Sequence, residues 1–197
     1  MTLEISVQRA VKAQQWPQQG MWRYEDYARL PNKDVQYEVI GGNLYMSPAP
    51  RPSHQYAVAM ILSALIAFVE RHNLGKVFPA PIDVNMLDLA TPVQPDLLFI
   101  RHDNMGIIKE RFIDGVPDLI VEVLSPSNPL HDRRTKFELY AQAGVTEYWM
   151  VDVEQKVVEV YVLRGHAYVP RGLFGEEDMA SSELLEGFTI SVRKICL

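Results

Sequence analysis

The sequence predicts an α/β fold of the α+β type: a mixed β-sheet flanked by helices, with extra β-hairpins. Three observations carry this expectation. Residues 35–47, "VQYEVIGGNLYMS", alternate around Gly41-Gly42 as a hairpin does. Residues 52–75 hold a long apolar run of helical period. Short β-branched and aromatic stretches then alternate with a second helical pattern. With 197 residues, 48% hydrophobic and 22% charged, the chain can bury one full core.

Residues 1–20 are polar and irregular, an N-terminal arm or short helix, and residues 21–197 are expected to form a single domain. "WRYEDYARLP" reads as a short helix stopped before Pro31. In the first hairpin strand, Gln36, Glu38 and Ile40 share one face. In the long helix, Ser53 is the expected N-cap and Gly75 the expected stop; its polar face is so thin that burial against a sheet is expected. "KVFPAPIDVNML" and "VQPDLLFI" read as strands separated by a loop at "DLATP", followed by a polar connection from Arg101 to Gly115. "PDLIVEVLS" is a further strand. Asn128 as N-cap, Pro129 at the first turn and Gly144 past the end then bound a second helix. "EYWMVDVEQKVVEVYVL" is a second hairpin turning at Glu154-Gln155, and "GHAYV" and "LLEGFTI" look like peripheral strands.

The totals bound the function. A formal net charge of −6 argues against a generally basic nucleic-acid surface, so any such surface must be local. Arg101, Lys109, Arg111, Arg133 and Arg134 are the candidates for it. The single cysteine, Cys196, allows neither a disulfide nor a thiolate metal site within one chain. The N-terminus shows no secretory h-region, and the apolar stretch 56–69 is short for a bilayer, so a cytoplasmic protein with no membrane association is expected.

Two acids interrupt the apolar strand 116–124, Asp118 and Glu122. An ionised carboxylate removed from water is costly unless paired or bound to a metal. Lying four residues apart on one strand, they are about 13 Å apart at roughly 3.3 Å per residue, too far to share one ion. A neighbouring strand offers a closer partner, and Asp96 in "QPDLLFI" supplies one. Two carboxylates with main-chain oxygen and water suit magnesium, with manganese as the alternative ion. On the following helix, Lys136, Arg133 and Tyr140 share one flank of the stripe Leu130, Phe137 and Ala141.

Pro95-Asp96 followed by Glu122 resembles the signature of the PD-(D/E)XK nuclease superfamily, in which a Pro-Asp precedes an acid, any residue and a lysine. Here Leu124 occupies the lysine's place, and Lys136 on the helix is the substitute, a variation known in that superfamily. The wording "DLIVEVLSPSN…DRRTKFELYAQAGVTEYWMVD", with "YEVIGGNLYMSPAP…HQ" upstream, looks like the Uma-type endonuclease branch over roughly residues 22–165. The resemblance implies a restriction-endonuclease-like fold, Asp96 and Glu122 as metal ligands, Lys136 as the group that orients water and stabilises phosphate charge, and Glu38 as an additional acidic member. It implies a magnesium-dependent endonuclease acting on DNA, and double-strand cleavage favours a homodimer, for which an edge near residues 157–163 is a candidate. His54, at the start of the long helix, is expected around the site with Arg133 and Tyr140, near a phosphate or in a capping or surface role.

Each assignment has a structural rival. Glu122 could pair with an arginine, Asp96 could start a turn after Pro95, Lys136 could snorkel at the surface, and Glu38 could be a solvated hairpin acid. Asp118 is expected to close the loop before its strand, Tyr148, Trp149 and Met150 to be core, and Asp152 to serve a turn. The competing function is a catalytically inactive nuclease-fold module with an interaction or regulatory role, favoured by the charge of −6 and by Leu124.

Overall fold

A computed structural model describes residues 16–31, 35–86, 89–124 and 131–197, with the side chains of residues 35, 48 and 131–133 outside that description. A four-residue helix, α1 (Tyr24–Tyr27), precedes the hairpin β1 (Val35–Ile40) and β2 (Asn43–Pro48). Its turn is Gly41-Gly42, both at positive φ, as a tight hairpin requires. Helix α2 (Pro52–His72) leads to β3 (Gly75–Pro79), β4 (Val84–Met86), β5 (Ala90–Val93) and β6 (Leu97–Arg101). A 3₁₀ segment over His102–Ile107 and β7 (Ile113–Asp114) precede β8 (Leu119–Val123). A π-helical segment, His131–Lys136, runs straight into α3 (Phe137–Ala143), and β9 (Glu147–Asp152), β10 (Val157–Arg164) and β11 (Ala167–Phe174) follow. Strands β12 (Met179–Ser181) and β13 (Thr189–Ser191) and the short α4 (Val192–Ile195) end the chain.

The mixed α+β class is as expected. A six-stranded sheet has the order β11-β10-β9-β8-β6-β3, and a five-stranded sheet the order β2-β1-β5-β4-β7. Strands β8 and β9 are parallel because α3 carries the chain back between them; β6 and β8 are antiparallel. Alternation along β8 divides the interior in two. Leu119, Val121 and Val123 face one cluster with Ile61, Leu65 and Val69 of α2. Ile120 and Leu124 face the other, with Leu139 and Tyr140 of α3 and with Val84 and Met86 of the smaller sheet. The larger sheet therefore lies between α2 on one side and α3 with the second sheet on the other.

Several expectations change at the level of elements. Arg51, not Ser53, is the N-cap of α2, because Pro52 is at the first turn. At its other end Asn73 takes the left-handed conformation (φ 52°), while Gly75 (φ 155°) opens β3. A Cβ at Gly75 would sit 2.0 Å from the Ile100 carbonyl oxygen, so this glycine permits the close approach of β3 to β6. Helix α2 is less enclosed than expected: Tyr56 and Ile66 stay exposed while Ala57, Ile61 and Leu65 are buried. It is long and apolar enough to cross a bilayer by length and composition, where residues 56–69 alone looked short; one face packs on the sheet.

The expected loop at "DLATP" contains β5, which pairs with both β1 and β4. The polar connection after Arg101 contains the 3₁₀ segment and β7. The second helix ends at Gly144 as expected (φ 97°), while Asn128, Pro129 and Leu130 lie outside the described residues. Strand β10 is interior, hydrogen-bonded to β9 and β11 on its two sides, so residues 157–163 are no edge for a partner.

Candidate active site

Asp96 stands just ahead of β6, and Leu97 pairs with Val121 of β8. Carrying that antiparallel register one step outward sets Asp96 opposite Glu122. The Val123 N–H donates to Asp96 Oδ2 at 2.8 Å, and His54 Nε2 of α2 lies 3.2 Å from the same oxygen. Among the described residues Asp96 Oδ1 accepts no hydrogen bond. Glu122 points to the α3 side of the sheet. Its Oε1 accepts a hydrogen bond from Tyr140 at 2.6 Å and another from Lys136 Nζ at 3.0 Å. Lys136 and Tyr140 are four residues apart, hence neighbours on one helical face.

Lys136 also reaches Glu38 Oε1 of β1 at 3.1 Å, and the Gln94 N–H donates to that oxygen at 2.9 Å. Glu38, Glu122 and Lys136 are 5%, 3% and 5% exposed, so their charges face each other largely without water. One ammonium between two carboxylates leaves an excess of negative charge, increased by Asp96. Tyr140 is fully enclosed; burial first, then the charges of Glu122 and Glu38, push its hydroxyl well above the ordinary tyrosine value, so it remains a donor. Leu124, in the signature's lysine position, is buried in the cluster with Ile120 and Leu139.

These groups line a cleft of about 1030 Å³ between the two sheets. Its lining also holds a second polar cluster, next to Glu38, that the sequence did not reveal. Tyr27 of α1 donates to Asp83 at 3.0 Å, and the Gln94 amide donates to Asp83 at 2.7 Å and to the Tyr27 hydroxyl at 3.2 Å. Tyr27 and Asp83 carry no local signal. Gln94 had one: it lies two residues before Asp96 and so shares its face.

Among the expected site residues, Glu38, Glu122, Lys136 and Tyr140 form one contact group and His54 and Asp96 a second, and the side chain of Arg133 lies outside the described part. His54 contacts Asp96, where a phosphate contact or cap was expected. Asp118 is at the opposite end of β8, accepting from the Arg101 N–H at 2.8 Å and from Asn104 at 2.9 Å. Of the arginines and lysines expected to bind DNA, Arg111 lines the cleft. Arg101 pairs with Asp103 beyond the far end of β6, Lys109 caps the Gly106 carbonyl, and Arg134 pairs with Glu138.

Among the described residues no three His, Cys, Asp or Glu side chains form a metal cage. The pair Asp96 and Glu122 suits an oxygen-seeking ion that keeps much of its water, as magnesium does, and not a zinc site built from nitrogen and sulfur.

The family model described as Uma2, putative restriction endonuclease, matches residues 24–193. The chain belongs to the Uma2 family. A crystal structure described as a putative nuclease belonging to DUF820, from Anabaena variabilis, has a similar fold, with a TM-score of 0.72. It is 16% identical, over 87% of this chain and 96% of that one, and the likeness at that identity concerns the fold. No curated protein sequence matches the chain. In this Uma2 protein the ordered segments that carried the resemblance, from the first hairpin to β9, all fall within the matched residues.

Proposed function

We propose that this Uma2-family protein is a magnesium-dependent endonuclease that hydrolyses phosphodiester bonds in DNA, manganese being able to substitute. The observation that carries the reading is that Asp96, Glu122 and Lys136, from a strand start, a strand and a helical segment, converge at the floor of one cleft. Asp96 and Glu122 would hold the ion. When bound, magnesium offers Lewis-acid stabilisation to phosphate oxygens and raises the acidity of water beside it.

The chain's own groups do the remaining work. Lys136 is placed to donate to a non-bridging phosphate oxygen and to orient the attacking water, whose oxygen bonds to phosphorus as the ester bond to the leaving sugar oxygen breaks. Glu38 holds Lys136 from the side opposite Glu122. Tyr140 fixes the Glu122 carboxylate, and His54 with the Val123 N–H fixes Asp96.

Incubating supercoiled plasmid and circular single-stranded DNA with wild type, Asp96→Asn and Glu122→Gln in magnesium tests the reading, alongside calorimetric titration of the ion. Wild type is expected to cut, both variants to lose at least about 100-fold in rate, as removal of one transition-state stabiliser does, and both to bind magnesium more weakly. Equal trace cleavage by all three proteins would sink it. A folded wild type that binds no magnesium would favour the inactive module.

A further inference from the structure

The wall of the cleft formed by α1 is aromatic, and the nuclease reading leaves it unused. Tyr24 lines the cleft and is 39% exposed, large for an aromatic ring with no polar tether. Its ring leans on Tyr27, centroids 5.9 Å apart with 35° between the planes. Tyr27 is itself fixed through its hydroxyl to Asp83 and Gln94. Burial and Asp83 together keep that hydroxyl protonated. Tyr24 is thus held on a rigid neighbour with its free face toward the cleft. Tyr37, on β1 beside Glu38, and Pro31 continue the same lining.

The cleft's size limits what can reach Glu122 and Lys136. Its volume of about 1030 Å³ is at the upper end of the roughly 300–1000 Å³ that encloses a drug-sized ligand. A few nucleotides of one strand fit such a space. Glu38, Glu122 and Lys136 are 3–5% exposed, so a scissile phosphate has to come in to them, which a flexible single strand does more readily than a duplex. Among the described residues the cations on the lining are Arg51, which pairs with Glu154, Arg111 and the buried Lys136. Base stacking on aromatic rings adds a sequence-tolerant source of affinity to what these cations supply.

We propose that the α1 wall, with Tyr24 as its platform, stacks the bases of a single strand, and that the substrate of this site is single-stranded or locally unpaired DNA. The inference rests on the nuclease reading. Stacking uses the face common to all bases, so weak sequence preference accompanies it.

The test measures fluorescence anisotropy of a labelled oligothymidine and of a blunt duplex of the same length, in calcium, for wild type, Tyr24→Ala and Tyr24→Phe. Wild type is expected to bind the single strand more tightly than the duplex. Tyr24→Ala should weaken single-strand binding about 5- to 150-fold, the range for loss of one stacked base, with Tyr24→Phe near wild type. Thermal melting of Tyr24→Ala checks its fold; if that variant unfolds, the strand preference of wild type and of a Tyr24→Trp variant decides. Duplex binding as tight as single-strand binding, or a folded Tyr24→Ala with unchanged affinity, overturns the proposal. Cleavage that Asp96→Asn abolishes but that is indifferent to strandedness overturns it while leaving the nuclease reading standing. No binding and no cleavage of either DNA removes both.

Discussion

Lys136 shows how a single residue carries both stability and chemistry. Its ammonium is enclosed by Glu38 and Glu122 at 3.1 and 3.0 Å, and removing it would leave two buried carboxylates facing each other. Lys136→Met is therefore expected to cost about 3–5 kcal/mol, the range for breaking a buried ion pair from one side, read as a lower urea midpoint. Added magnesium should recover more of that loss in the variant than it adds to wild type, because a second cation then answers the same charge. Loss of cleavage with no such recovery would mean the ion does not share the Lys136 environment. Lys136 and Tyr140 were legible in the sequence through helical spacing behind a strand acid. The Glu38–Lys136 contact was not, because β1 and the π segment are almost a hundred residues apart and no local pattern records which segments meet.

Among elements, β8 and β9 carry the same signal with opposite meanings. Each is an apolar strand with a buried acid, Glu122 in β8 and Glu147 in β9, and Glu122 opens on the cleft. Glu147 of β9 is fully buried elsewhere and accepts from Trp149 Nε1 at 2.7 Å and from the Glu183 and Leu184 N–H groups at 2.8 Å each. It anchors the segment that brings Leu185 and Phe188 into the core. Glu147→Ala strands three donors, so a loss of about 3 kcal/mol or more is expected, together with faster proteolysis after β11 and an unchanged affinity for magnesium. An altered magnesium affinity would show that Glu147 communicates with the cleft after all. Glu147 drew no notice in the sequence; only the packing of α3 against one face and the C-terminal segment against the other separated site from anchor. The π-helical winding of His131–Lys136, which sets the approach of Lys136 to Glu122, had no sequence signature either.

Over the whole molecule, stability is linked to pH through buried tyrosines. Burial raises the Tyr168 hydroxyl, which donates to the Val145 carbonyl at 3.0 Å, above its ordinary value of 10.0, and burial with Asp83 does the same for Tyr27. The native state thus keeps protons that the unfolded chain releases near pH 10. Below that pH both states are protonated and this contribution is fully present; above it, stability falls as pH rises. Urea midpoints should hold level from neutral to mildly alkaline pH and then decline, with a shallower decline in Tyr168→Phe. An identical slope in that variant would remove Tyr168 from the account. At this scale the sequence by itself determined the mixed α+β class, the first hairpin, α2, β8, the end of α3 and the acids and lysine worth watching, because periodicity, glycines and prolines act locally. The tertiary structure decided that Asp96 faces Glu122, that Glu38 closes on Lys136, that Tyr27, Asp83 and Gln94 form a second polar cluster on the cleft, and that β10 is interior. Those depend on which strands pair and which layers pack, and the chain settles that only when both faces of the central sheet are covered.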